Sequence, residues 1–165
     1  MFSFYKTHNN SLYNNLVELS RNIFFYKSLK FNDNFETRVT LIFVHLSMVL
    51  IILNKRGTKF PQDIFDNIFQ NIEYHLRELG HGDVSVNAKM KSLTRIFYDL
   101  LLKINLQDDN KFIVNKAILK EYFDPIKEDI TKLNKMSDYV VDFYNFCFEL
   151  NDNNMIKGSI NFKFK

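Results

Sequence analysis

Residues 39–53 read Val-Thr-Leu-Ile-Phe-Val-His-Leu-Ser-Met-Val-Leu-Ile-Ile-Leu, an almost wholly apolar run held between Arg38 and Lys55-Arg56. A helix that crosses a bilayer needs about 20 such residues, and this run is shorter and carries His45 at its middle. It therefore reads as the central helix of a folded domain, buried on most of its sides.

Helical periodicity continues on both sides of that run, with almost no strand alternation. Leu12, Leu16, Leu19, Ile23 and Tyr26 line one face of a first helix, with Ser11 as its cap. Asp33 is placed to cap the central helix, which stops before Gly57. Pro61 suits the first turn of a third helix, in which Phe65, Ile68, Phe69, Ile72, Leu76 and Leu79 form the buried stripe. Val86, Met90, Leu93, Phe97, Leu100 and Ile104 predict a fourth. A weaker pattern from Asp109 to Phe123 ends before Pro125, which disfavours helix in the residue preceding it. Met136, Tyr139, Val140, Phe143, Phe146, Cys147 and Leu150 predict the last. The expectation is an all-α fold, a single compact domain of about six helices over residues 11–150. An N-terminal arm, 1–10, precedes it and a C-terminal tail, 151–165, follows. The tail reads as a frayed end. Its alternation of Phe162, Lys163, Phe164 and Lys165 leaves open a contact with a membrane surface or a packed extended segment.

Composition narrows the function classes. The 165 residues are 46% hydrophobic, enough for a real core, and carry a net charge of only +3 on 22 basic and 19 acidic side chains. A dedicated nucleic-acid binder would show a denser basic surface, so DNA is not expected as a partner, whereas ribosomal RNA or anionic lipid remains open. The single cysteine, Cys147, lies in an apolar helical pattern and agrees with a reducing compartment. Residues 1–10 lack the apolar core and cleavage site of a signal peptide, so the cytoplasm is the expected location.

Enzyme chemistry finds little support. There is no phosphate-cradling glycine loop, no nucleophile elbow and no cysteine pair at metal-ligand spacing. His45, His81 and Asp83 are the residues a metal-dependent helical enzyme would use, yet their spacing matches no compact motif. A histidine inside an apolar helix is more often hydrogen-bonded in the core, and His75 is expected to be half exposed. No catalytic residue, metal or cofactor is assigned. A second alternative is a general helical adaptor that binds lipid or nucleic acid through Lys55, Arg56 and Lys59.

The densest polar cluster is Leu76-Arg77-Glu78-Leu79-Gly80-His81-Gly82-Asp83. Gly80 fits the left-handed residue that closes a helix, and Asp83 the N-cap of the next. Arg77 has a pairing partner one turn back in Glu73. A turn alone does not need so many polar groups, so Arg77, Glu78, His81 and Asp83, extended along the fourth helix by Lys91 and Arg95, are the candidate partner-binding residues. Eighteen phenylalanines and five methionines are many for a small core. Phe24 and Phe25, beside the first helix's stripe, are candidates for an apolar client surface, with aromatic crowding in the core as the plainer reading.

Phe35-Glu36, His45 in its apolar helix, Phe65-Asp66, Phe69, the Leu76–Asp83 cluster, Val86, Met90-Lys91 and Phe97-Tyr98 together resemble the ubiquinol-cytochrome c chaperone family, shared by alphaproteobacteria and mitochondria. The resemblance spans about Leu12 to Leu150 and is most specific in Arg77 to Asp83. It implies an all-α, non-catalytic chaperone that binds newly made cytochrome b, apo or haem-loaded, and assists assembly of the ubiquinol-cytochrome c reductase (bc1) complex of the respiratory chain. It further implies the ribosome or a small helical co-chaperone as further partners, and peripheral contact at the inner face of the inner membrane. Many relatives carry Gly-Arg after the Phe-Tyr pair, where this chain has Asp99-Leu100, so a basic contact at that point is not carried over.

Overall fold

The computed structural model describes residues 11–106 and 111–164. The 1–10 arm lies outside the described residues, as does Asp109, the expected start of the fifth helix. Among the described residues there are seven α-helices: α1 (Ser11–Ser20), α2 (Phe35–Lys55), α3 (Gln62–Glu78), α4 (Asp83–Lys103), α5 (Lys116–Tyr122), α6 (Ile130–Phe148) and α7 (Asp152–Ile156). The only β pairing among them is an isolated antiparallel bridge, Asn105 to Val114. The fold is all-α, as the periodicity predicts.

α2 is the axis of the molecule. It is long and apolar enough to cross a membrane, but most of it is enclosed by its neighbours, chiefly α4, α1 and α6. Leu41, Phe43, Leu46, Met48, Val49 and Ile52 have no exposed surface. Each such side chain contributes about 1.5–3 kcal/mol by leaving water, which is why a helix apolar on nearly every face settles at the centre. Its cap is Asn34, whose extended backbone lets Oδ1 accept from Thr37 N at 2.9 Å. Asp33, expected in that role, sits one residue too early and instead takes Arg38 Nε at 2.7 Å. Pro61 likewise sits one residue outside α3, as its N-cap rather than in its first turn.

The first helix is shorter than its stripe predicts. α1 ends at Ser20, whose Oγ donates to Leu16 O, and Asn22 Oδ1 then accepts from Phe24 N at 2.9 Å, diverting that amide from a continuing helical ladder. The chain resumes as a π-helical turn over Phe24–Ser28. This break leaves Ile23 exposed but swings Phe25 into the centre, fully buried against Tyr139, Phe31 and His45, with Phe24 half-buried beside it. These two phenylalanines belong to the core and not to a client surface. Ser11 is the first residue of α1, and its Oγ donates to Lys157 O.

The fifth helix contracts to α5, and a one-turn 3-10 helix, Asp124–Ile126, carries the chain through Pro125 to α6. α6 starts six residues before the expected Met136, at Ile130, because Asp129 Oδ1 accepts from Lys132 N at 3.1 Å and nucleates the first turn.

The greatest departure is the tail. It is not frayed: residues 151–164 pack along α1 and α6. Asn151 caps α7, Met155 and Ile160 are buried, and Phe162 and Phe164 pack edge-on against Tyr139. Arg56 secures its start, donating to Asp152 Oδ1 at 2.7 Å and to the carbonyl oxygens of Phe148 and Leu150.

Candidate functional site

The α3–α4 corner is built by backbone rules. Leu79 ends α3, Gly80 takes φ +98°, its N–H donates to Arg77 O, and His81 N donates to Leu76 O at 3.3 Å. These two bonds close the helix in a Schellman arrangement. Gly82, extended, is the N-cap of α4, and Asp83 is the first helical residue. Asp83 therefore makes no capping bond, against expectation: the extended position a cap requires falls on Gly82, which has no side chain. Its carboxylate, 82% exposed, faces α3 and accepts from Arg77 Nη1 at 2.5 Å. At the first turn of α4 it also lies where the helix dipole favours a negative charge.

Arg77 joins the two helices. It also reaches Glu73 Oε2 at 3.3 Å, and the hydrogen bonds to Asp83 and then Glu73 push its pKa above the ordinary arginine value. Glu78 faces the other way and pairs with His75 Nδ1 at 3.1 Å; His75 is exposed and stacks on Tyr13. His81 Nδ1 and Ser85 Oγ lie 2.8 Å apart. Lys91 and Arg95 are exposed further along α4, about 12 and 18 Å from Asp83 at 1.5 Å per residue, and form no ion pair among the described residues. The six candidate residues thus form a joined Arg77–Asp83 group, two separate local pairs and a distant pair of unneutralised cations.

The corner carries apolar groups that periodicity misassigns. Leu79, expected in the buried stripe, is 61% exposed, as α3 ends before it and it is the C-cap residue; Val84, the second residue of α4, is 85% exposed. Beside Glu78 and Leu79 opens a cleft of about 360 Å³ between α1, the start of α2 and the end of α3, with Tyr13, Val17, Phe35 and Ile42 on its walls and Arg38 on its rim. No local motif marks this cleft, since its walls come from three separate helices.

The residues of the metal alternative do not come together. His45 is fully buried, its Nδ1–H donating to Leu41 O at 2.7 Å and its Nε2 accepting from Tyr139 OH at 2.6 Å, and burial lowers its pKa to about 4. His45 lies within α2, whereas His81 and Asp83 lie at the α3–α4 corner, and no group of three or more His, Cys, Asp or Glu among the described residues is placed to hold a metal. Cys147 is buried, its thiol pKa pushed up to about 12 by desolvation. Of the basic trio, Arg56 is committed to the tail and Lys55 lies over the Tyr144 ring at 5.6 Å. Asp99 joins α4 to α5: Tyr122 OH and Lys103 Nζ both bond to it, and the Lys103 contact, foremost, holds its carboxyl below the usual carboxylate range.

The family model described as ubiquinol-cytochrome C chaperone matches residues 27–163. This chain belongs to that family. The matched region holds the whole α3–α4 corner and runs through α7 into the packed tail, so most of the tail falls within the matched region. Comparisons with curated proteins and with solved structures returned no match. The family role is that of a chaperone in assembly of the ubiquinol-cytochrome c reductase complex, with a partner in that complex.

Proposed function

We propose that this protein is a non-catalytic chaperone that holds newly made cytochrome b during assembly of the reductase, and that the α3–α4 corner with its adjoining cleft is where the client or a helical co-chaperone docks. The family match carries the reading. It is supported by a corner whose polar groups and exposed Leu79 and Val84 exceed what closing a turn requires, next to a mostly apolar cleft with a charged rim. A chaperone for a membrane subunit has to offer apolar surface edged by polar groups, because the client's helices are otherwise exposed to water. The protein works at the cytoplasmic side of the membrane where its client inserts, and Lys91 and Arg95 supply positive charge for that approach.

The test is capture of tagged protein from its own cells after mild crosslinking, with identification of the attached proteins and a haem absorption spectrum of the eluate. Cytochrome b in the wild-type eluate, lost with Arg77→Glu, is the expected result. An eluate without cytochrome b overturns the client assignment; capture that Arg77→Glu leaves unchanged overturns the corner.

A further inference from the structure

Residues 159–164 make no helix and run extended along the groove between α1 and α6. Their burial alternates: Ile160 is buried, Asn161 exposed, Phe162 half-buried, Lys163 exposed and Phe164 half-buried. Alternation of that period is what an extended chain shows when one edge of it faces a wall of side chains. The wall is aromatic. Phe162 meets Tyr139, Phe143 and Phe146 at centroid distances of 5.3–5.5 Å, and Phe164 meets Phe24 at 4.8 Å and Tyr139 at 5.1 Å.

The backbone is read as well. Asn15 of α1 donates from Nδ2 to Ile160 O at 3.0 Å and accepts at Oδ1 from Ile160 N at 2.9 Å, so one side-chain amide satisfies both polar groups of a single peptide residue. Such a bond recognises an extended backbone and not the identity of its side chain. An open cleft of about 550 Å³ lies between the segment and Asn15, Glu18, Leu19 and Asn22 of the α1 side, so the segment is held along one edge without being sealed in. Upstream, the Arg56–Asp152 pair and α7 anchor the chain independently of residues 159–164.

We infer that the α1–α6 groove is a binding site for an extended polypeptide segment with apolar, preferably aromatic, side chains at alternate positions, and that residues 159–164 are its resident occupant, displaced when such a segment binds. The groove supplies the backbone clamp, Asn15, and aromatic seats at successive alternate positions; the chain's own segment shows what fits. This holds whichever protein docks at the α3–α4 corner.

The probe is a fluorescein-labelled peptide of residues 158–164, Gly-Ser-Ile-Asn-Phe-Lys-Phe, added to the full chain with Phe162→Ala and Phe164→Ala, its fold checked by circular dichroism. A tethered occupant competes at an effective concentration of roughly millimolar, so the peptide is expected to bind this variant saturably and wild type at least about tenfold more weakly. Adding Asn15→Ala should remove the binding, and a peptide with its apolar residues made adjacent should not bind. A folded variant that takes up no peptide, or equal binding by wild type and variant, overturns the proposal. If the double variant does not fold, amide exchange on wild type decides: the Ile160 amide should open well before those of α6, and exchange only with global unfolding would make the segment a fixed part of the core.

Discussion

Gly80 and Gly158 share a left-handed backbone, φ +98° and +76°, and little else. A Cβ placed on Gly80 meets no atom within 4 Å; one placed on Gly158 falls 2.4 Å from Ser11 O and 2.7 Å from Leu12 Cα. The first glycine closes a helix at an exposed corner whose bonds all span a few residues. The second lets the end of α7 lie against the start of α1, about 145 positions earlier in the chain, where Ser11 Oγ donates to Lys157 O. The arginines repeat the contrast. Arg77 bonds to residues four before and six after it, whereas Arg56 holds Phe148, Leu150 and Asp152. A locally closed, exposed corner can change its side chains without loss of the fold, and a long-range closure cannot.

Substitutions can break or sharpen this comparison. Gly158→Ala should cost the most, roughly 2–5 kcal/mol in denaturant unfolding, from left-handed strain plus overlap with the α1 backbone. A loss of 1 kcal/mol or less would mean that the α1–α7 approach is slack.

The next effect is pH-dependent and reports on the wall that carries the tail. His45, bonded to Tyr139, has a folded pKa of about 4, below its unfolded value near 6.5. The unfolded chain therefore binds the extra proton first, and the stability this neutral histidine contributes is present above about pH 6.5 and lost as pH falls towards 4. Up to about 3 kcal/mol is expected to disappear across that window, and most of this dependence should vanish in His45→Gln. Urea melts at pH 7.5 and 4.5 measure it; an unchanged pH dependence in the variant would place the titrating group elsewhere.

Gly80→Ala carries strain without overlap, so about 1 kcal/mol is expected, well under the Gly158 value. Equal costs at the two glycines would erase the distinction between the regions. Smallest of all is Arg77→Glu, which should leave helicity and melting temperature unchanged while removing client capture. Unfolding of that variant would show that the corner, like the α1–α7 closure, holds the fold together.

Much of the fold was legible because its signals are short-ranged. The stripes of α3, α4 and α6 and the buried run of α2 express a 3.6-residue period that burial enforces, and Gly80 announces its own conformation. The misplacements at Asp33, Pro61 and Asp83 are single-residue shifts, since several polar or restricted residues stand next to each boundary and backbone geometry selects one. The break after Ser20 was hidden because Asn22 competes for a backbone amide in a stretch whose apolar spacing still looks helical. In the corner, the residues were visible in the sequence, but their partners were not: Arg77 joins Asp83 across the turn, Glu78 turns back to His75, and Lys91 and Arg95 stand apart.

The amino-acid sequence by itself determined the all-α class, the central place of residues 39–53, the corner at Gly80 and membership of a chaperone family, because each depends on residue types at fixed near spacings. Only the tertiary structure decided that Phe24 and Phe25 face inward, that His45 is held by Tyr139, and that Ile160, Phe162 and Phe164 lie in the α1–α6 groove. Those outcomes depend on residues of separate elements meeting at one place, some of them 94 to 145 positions apart, and no local pattern records which distant surface a side chain will find.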